Sequence, residues 1–135
     1  MSGVFIDTSA FLALLDADDE HHAAVRKTWG EILDSDSLLV TSNYVLVETF
    51  ALVQNRLGLE AVRGFQEDIV PLLRIHWVDA DIHASGAGAV LATGRKRLSL
   101  VDCTSFEVMR RSGIRRAFTL DRHFREQGFA TVPKL

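Results

Sequence analysis

Four carboxylates stand where an apolar side chain or a helix cap would be expected. Glu48 lies inside Val45-Leu46-Val47-Glu48-Thr49-Phe50-Ala51-Leu52-Val53, where Thr49 is the one other polar residue. At helical spacing its neighbours are Tyr44, Val45, Ala51 and Leu52. Burying an isolated carboxylate among such residues costs several kcal/mol, which a metal ion or an arginine would offset. Asp7 follows the apolar run Val4-Phe5-Ile6, Asp121 follows Ala117-Phe118-Thr119-Leu120, and Asp102 closes Ser99-Leu100-Val101-Asp102. Singly, each aspartate also fits a helix cap, and Ser99 with Asp102 has the spacing of a capping box. Together, four carboxylates offer hard oxygen ligands of the kind Mg²⁺ or Mn²⁺ takes beside a phosphate. A pair of such ions can activate a water and stabilise the oxygen leaving a phosphodiester. Without metal the acids would repel one another and raise at least one pKa.

The surrounding elements must bring these residues together. Residues 4–6 and 38–41 read as strands, as do 74–78 and 117–120, with 131 and 132 as a last short one. Helices are expected over 9–15 with Ser9 as cap, over 20–33, from Ser42 or Asn43 to 57, and over 59–70 up to Pro71. Further helices follow from Asp79 to about Gly94, over 99–112, and over 121–127, with Gly58, Gly113 and Gly128 as stops. Strands alternating with helices predict an α/β fold, a mostly parallel sheet covered on both faces. Ligands of such sheets bind beyond the carboxyl ends of the strands, where Asp7 and Asp121 lie.

The 135 residues suit one domain, 1–135. No apolar run approaches the roughly 18 residues that cross a membrane, and no secretory signal is visible. Cys103 is the only cysteine, so a reducing cytoplasm is expected. The net charge of −3 hides an asymmetry. Residues 1–94 carry 5 Lys/Arg and 14 Asp/Glu, whereas 95–135 carry 10 and 4. A basic C-terminal third can serve a polyanion even in an acidic protein.

The ordered set Phe5-Ile6-Asp7-Thr8-Ser9, Val47-Glu48, Leu98-Ser99-Leu100-Val101-Asp102-Cys103 and Phe118-Thr119-Leu120-Asp121-Arg122-His123-Phe124 resembles the PIN domain. The resemblance is to the toxin ribonucleases of bacterial type II toxin–antitoxin pairs, the virulence-associated-protein-C type. It implies a three-layer α/β/α sandwich and Mg²⁺- or Mn²⁺-dependent hydrolysis of RNA by an activated water. Asp7, Glu48, Asp102 and Asp121 match the family's acids, and Thr8 or Ser9, with Thr119, match hydroxyls near its pocket. Many members carry another acid two residues after the last aspartate, where this chain has His123, which puts a second metal position in doubt. The resemblance also implies a homodimer and a small antitoxin laid across the active-site groove.

Arg95, Lys96, Arg97, Arg122 and His123 are the candidate RNA contacts, since basic groups flanking metal-binding acids suit a polyanion. Arg110, Arg111, Arg115 and Arg116 fit a solvated face equally well. Cys103 reads as a packed residue, because a nucleophilic thiol needs a positioned histidine, and Trp29 and Trp77 read as core anchors. No Gly-x-x-x-x-Gly-Lys-Ser/Thr or His-Glu-x-x-His motif is present. Ser9 occupies the place where an aspartyl phosphatase carries its second aspartate. The alternative from another class is a PIN-like module that binds RNA or protein without cutting, and metal-dependent cleavage separates the two.

Overall fold

The computed structural model describes residues 2–94 and 98–135. Chain order runs β1 (Gly3–Ile6), α1 (Thr8–Leu15), α2 (His22–Leu33), β2 (Leu38–Ser42), α3 (Asn43–Leu57), α4 (Leu59–Gly64), β3 (Arg74–His76), α5 (Ala80–Thr93), α6 (Leu100–Ser112), β4 (Arg116–Phe118), α7 (His123–Glu126) and β5 (Ala130–Val132). The five strands form one wholly parallel sheet in the order β3-β2-β1-β4-β5. Phe5 pairs with Val40 on one side and Ala117 on the other, so β1 is central. Val4, Phe5, Ile6, Ala117 and Phe118 are fully buried, as a sheet covered on both faces requires. No helix among the described residues is long and apolar enough to cross a membrane.

The chain runs from β1 outward through β2 to β3, then returns to the other side of β1 for β4 and β5. The order therefore reverses between β1 and β4, and in open sheets of this kind ligands bind at such a reversal, beyond the carboxyl ends of the strands. Asp7 is the first residue past β1, and Thr119 the first past β4. The expected α/β/α arrangement is present, and its geometry places the conspicuous residues at that reversal.

Several boundaries differ from expectation for local reasons. α1 starts at Thr8, so Asp7 and not Ser9 takes the cap position. α2 starts at His22, two residues late, because Asp16 Oδ1 accepts the Asp18 N–H and Asp19 Oδ1 accepts the His21 N–H, turns that hold the chain off the helix. The helix expected over 59–70 is α only to Gly64. It continues as a π-helical turn (Phe65–Ile69) and a 3₁₀ turn (Val70–Leu72), since Pro71 has no N–H to extend the ladder. β3 and β4 end two residues earlier than expected, and α7 spans four residues only. α3 is not buried all round: Val45, Thr49 and Val53 face inward, while Val47 is 70% and Phe50 39% exposed. Trp29 packs against the core as expected, but Trp77 is exposed.

Candidate active site

Asp7 holds the cap position of α1 without capping it. Its side chain makes no bond to the helix N–H groups and is buried instead. Its Oδ2 accepts the Ser9 hydroxyl at 2.8 Å and the Thr119 hydroxyl at 3.0 Å. Those hydroxyls are themselves fixed, because Ser9 Oγ accepts the Leu120 N–H and Thr119 Oγ1 accepts the Asp121 N–H, both at 2.9 Å. Each has one proton, and both are directed to Asp7. The segment after β4 is thus pinned to the segment after β1 around one carboxylate oxygen. Oδ1 of Asp7 accepts no hydrogen bond from the described residues.

Asp102 takes the capping role that its spacing from Ser99 allowed. Its Oδ2 accepts the Ser99 N–H at 3.1 Å while Ser99 Oγ accepts the Asp102 N–H at 3.0 Å, completing the capping box of α6. Glu48, half-buried on α3, makes no hydrogen bond or ion pair among the described residues. Thr49 beside it donates to Thr8 Oγ1 at 3.0 Å, tying α3 to the start of α1. Of the two candidate hydroxyls at positions 8 and 9, Ser9 therefore serves Asp7, and Thr8 joins the helices. Thr49 was not singled out from sequence, and its one signal was a polar residue on an apolar face beside Glu48. Asp121 Oδ1 accepts the His123 N–H at 2.9 Å. His123, a candidate RNA contact, is buried against that carboxylate.

The electrostatics join the four acids into one group. Burial pushes the Asp7 carboxyl up from 3.8 to about 6, against the lowering effect of Ser9 and Thr119, with the charges of Asp102 and Asp121 adding to the rise. Burial also raises Asp102, opposed by Ser99 and reinforced by Asp121 and Glu48. Among the described residues no lysine or arginine ion pair reaches any of the four. A cluster of hard oxygen donors without a protein cation can hold a divalent ion, and one oxygen or nitrogen each from Asp102, Asp121 and His123 already lie within 4.8 Å of one another.

The basic candidates separate in space. A groove of about 470 Å³ beside Thr119 and Asp121 is lined by Arg122, Arg125 and Lys134. Arg110 and Arg111 stand about 12 Å down the α6 axis from Asp102. Arg111 binds Asp81 and Glu107, while Arg115 and Arg116 flank the opposite, amino-terminal ends of the strands. Arg95, Lys96 and Arg97 lie outside the described residues. Cys103 is buried, and that burial, then the Asp102 charge, raises its thiol pKa, so it is packed and held as a thiol.

The PIN-domain family model matches residues 4–130. The chain belongs to the PIN-domain family. This PIN domain is 33% identical over 130 residues to the 23S rRNA-specific endonuclease VapC20 of Mycobacterium tuberculosis, covering 96% of this chain and 97% of the relative. It is 32% identical over 130 residues to the ribonuclease VapC26 of the same organism, covering 90% and 89%. The crystal structure of M. tuberculosis VapC20, described as a sarcin–ricin loop cleaving toxin, superposes with a TM-score of 0.85 at 31% identity over 95% of this chain and 97% of that one. DNA-bound VapBC from Salmonella typhimurium shares the PIN fold at a TM-score of 0.69 and 17% identity, covering 97% of each chain.

Proposed function

We propose that this PIN domain is a Mg²⁺- or Mn²⁺-dependent endoribonuclease, the toxin of a type II toxin–antitoxin pair, in which Asp7, Glu48, Asp102 and Asp121 hold the ion. The observation that carries this reading is Asp7: a buried carboxylate, oriented by two hydroxyls, amid three more acids and, among the described residues, no paired lysine or arginine. Such a group destabilises the fold unless a cation neutralises it. Ser9 and Thr119 fix one oxygen of Asp7, and Ser99 fixes one of Asp102, so little reorganisation is needed on binding. When bound, a divalent ion supplies Lewis acidity toward water and charge neutralisation for the phosphodiester.

The groove lined by Arg122, Arg125 and Lys134 leads to Asp121 and suits the RNA backbone. RNA specificity is read chiefly from loops and other unpaired segments. An alignment at 33% identity along 96% of the chain with a 23S rRNA-specific endonuclease makes the sarcin–ricin loop of 23S rRNA the substrate to test first. The enzyme is proposed to act in the cytoplasm as a homodimer, on the family resemblance. Its small antitoxin is proposed to lie over the apolar groove formed by Leu46, Val47, Phe50 and Ala51, on the helix that bears Glu48, and to insert a basic side chain among the four carboxylates. Purified protein should cut 23S rRNA with Mg²⁺ or Mn²⁺, and chelation should stop it. A metal-loaded, folded protein that binds RNA and leaves it whole would instead support a silent binding module.

A further inference from the structure

We infer that His123 is itself a metal ligand, so that the ion held by Asp102 and Asp121 has an imidazole nitrogen among its oxygen donors. This deepens the metal-site reading above and rests on it. The starting observation is a buried histidine neither of whose ring nitrogens makes a hydrogen bond. His123 is 8% exposed, and neither Nδ1 nor Nε2 has a hydrogen bond or access to solvent. Buried polar atoms are nearly always satisfied, and an orphan in a native structure marks an ion, a water or a strained functional group. Two orphans on one ring, at the edge of an acidic cluster, need such an explanation.

The backbone shows how the ring reaches that place. Asp121 Oδ1 accepts the His123 N–H at 2.9 Å, a tight turn that folds the chain back over its own carboxylate. The next residue, Phe124, is fully buried against Phe5 and Phe106, which anchors the turn in the core. His123 Nδ1 consequently lies 2.8 Å from Asp121 Oδ1, yet out of line for an N–H···O hydrogen bond. A ring nitrogen lone pair so close to a carboxylate oxygen is repelled unless a positive charge binds both. A proton on the ring would supply that charge as an ion pair but would leave the buried Nε2 without a partner, whereas a divalent cation also meets the Asp102 oxygen that lies within reach.

The distances suit a cation. One ligand atom each from Asp102, Asp121 and His123 lie within 4.8 Å of one another. Octahedral bonds of about 2.1 Å set neighbouring ligands about 3 Å apart and opposite ligands about 4.2 Å apart. A small inward movement therefore closes the three onto one ion. The donor set has a chemical consequence. Imidazole nitrogen favours transition ions, whereas Mg²⁺ prefers oxygen throughout. His123 therefore biases this site toward Mn²⁺ over Mg²⁺.

Pulsed EPR of the full-length protein loaded with Mn²⁺ tests this directly. The expected spectrum carries the ¹⁴N modulation of a bound imidazole, and His123→Gln abolishes it while the exposed control His83→Gln keeps it. By titration of free Mn²⁺, His123→Gln should weaken Mn²⁺ binding at least about tenfold and Mg²⁺ binding much less. His123→Asp, which restores an oxygen donor, should bind Mn²⁺ without ¹⁴N modulation and shift selectivity toward Mg²⁺. Mn²⁺ bound by the unmodified protein with no ¹⁴N coupling overturns the histidine ligand and leaves the carboxylate site standing. Failure to bind Mn²⁺, or binding unaffected by Asp102→Asn, overturns the carboxylate site and the histidine ligand with it.

Discussion

Asp7 is the residue at which structure and chemistry conflict most plainly. Its carboxyl pKa, about 6 in the fold against 3.8, means that the native state holds the proton more tightly than the unfolded chain does. The stability linked to this group is fully present below pH 3.8 and lost as pH rises through 6, on the order of 3 kcal/mol for a rise of this size. Metal-free protein should therefore gain thermal stability as pH falls from 7.5 to about 5.5. Asp7→Asn, which can still accept from Ser9 and Thr119, should raise the melting temperature at pH 7.5 and flatten that pH dependence. The same substitution, like Glu48→Gln or Asp102→Asn, should lower RNA cleavage at least roughly a hundredfold, as loss of a metal-positioning group does. If two of these variants, folded and metal-loaded, cleave at the unmodified rate, the site is misassigned. Cys103 sets the contrast. Cys103→Ala should keep cleavage within a few fold and cost about 1–2 kcal/mol in a denaturation experiment, because it loses packing only.

Among the elements, α5 packs closely on α6, and one glycine permits it. A Cβ on Gly86 would stand 2.5 Å from Thr104 Cγ2 and 3.2 Å from the Thr104 backbone nitrogen, whereas one on Gly88 meets nothing within 4 Å. Gly88→Ala should thus stabilise the protein by up to about 1 kcal/mol through helix propensity alone. Gly86→Ala gains the same propensity but forces α6 outward at a typical cost of about 1–3 kcal/mol, so its melting temperature should fall. Asp102 lies two residues from Thr104, and Gly86→Ala should also slow cleavage. Equal stability of the two variants would mean that the helices part without strain. The alternation of strand and helix was legible in the sequence because β-branched runs, caps and stop glycines agree with one another. The placement of Asp7 and Asp121 was legible once strand ends were located, and that of Asp102 from the capping box that starts α6. The π turn at Phe65–Ile69, the exposed face of α3 and the burial of His123 were not. Apolar composition does not reveal which face lacks a neighbour, and the contact of His123 with Asp121 is set by a turn and by Phe124 behind it.

At the scale of the whole molecule, a net charge of −3 must coexist with the attraction for RNA that the proposed function requires. The fold resolves this by position. Arg122, Arg125 and Lys134 line the groove at the carboxyl end of β4, beside Asp121. Arg111 is held by Asp81 and Glu107, and Arg115 belongs to the pocket at the other end of the sheet with Gly3 and Arg74. Backbone contacts to RNA release counterions, so each phosphate neutralised contributes about 0.7 to the salt slope for a single strand and about 0.9 for a duplex. Binding can be measured without cleavage in the Asp7→Asn background, by titrating a 23S rRNA stem-loop at several salt concentrations. Arg122→Ala and Arg125→Ala should each weaken binding at low salt and reduce the slope by about one. Arg115→Ala and Arg111→Ala should leave the slope unchanged, although the same net charge is removed. Net charge alone would give all four variants the same loss, and that outcome would rule out the groove as the RNA path.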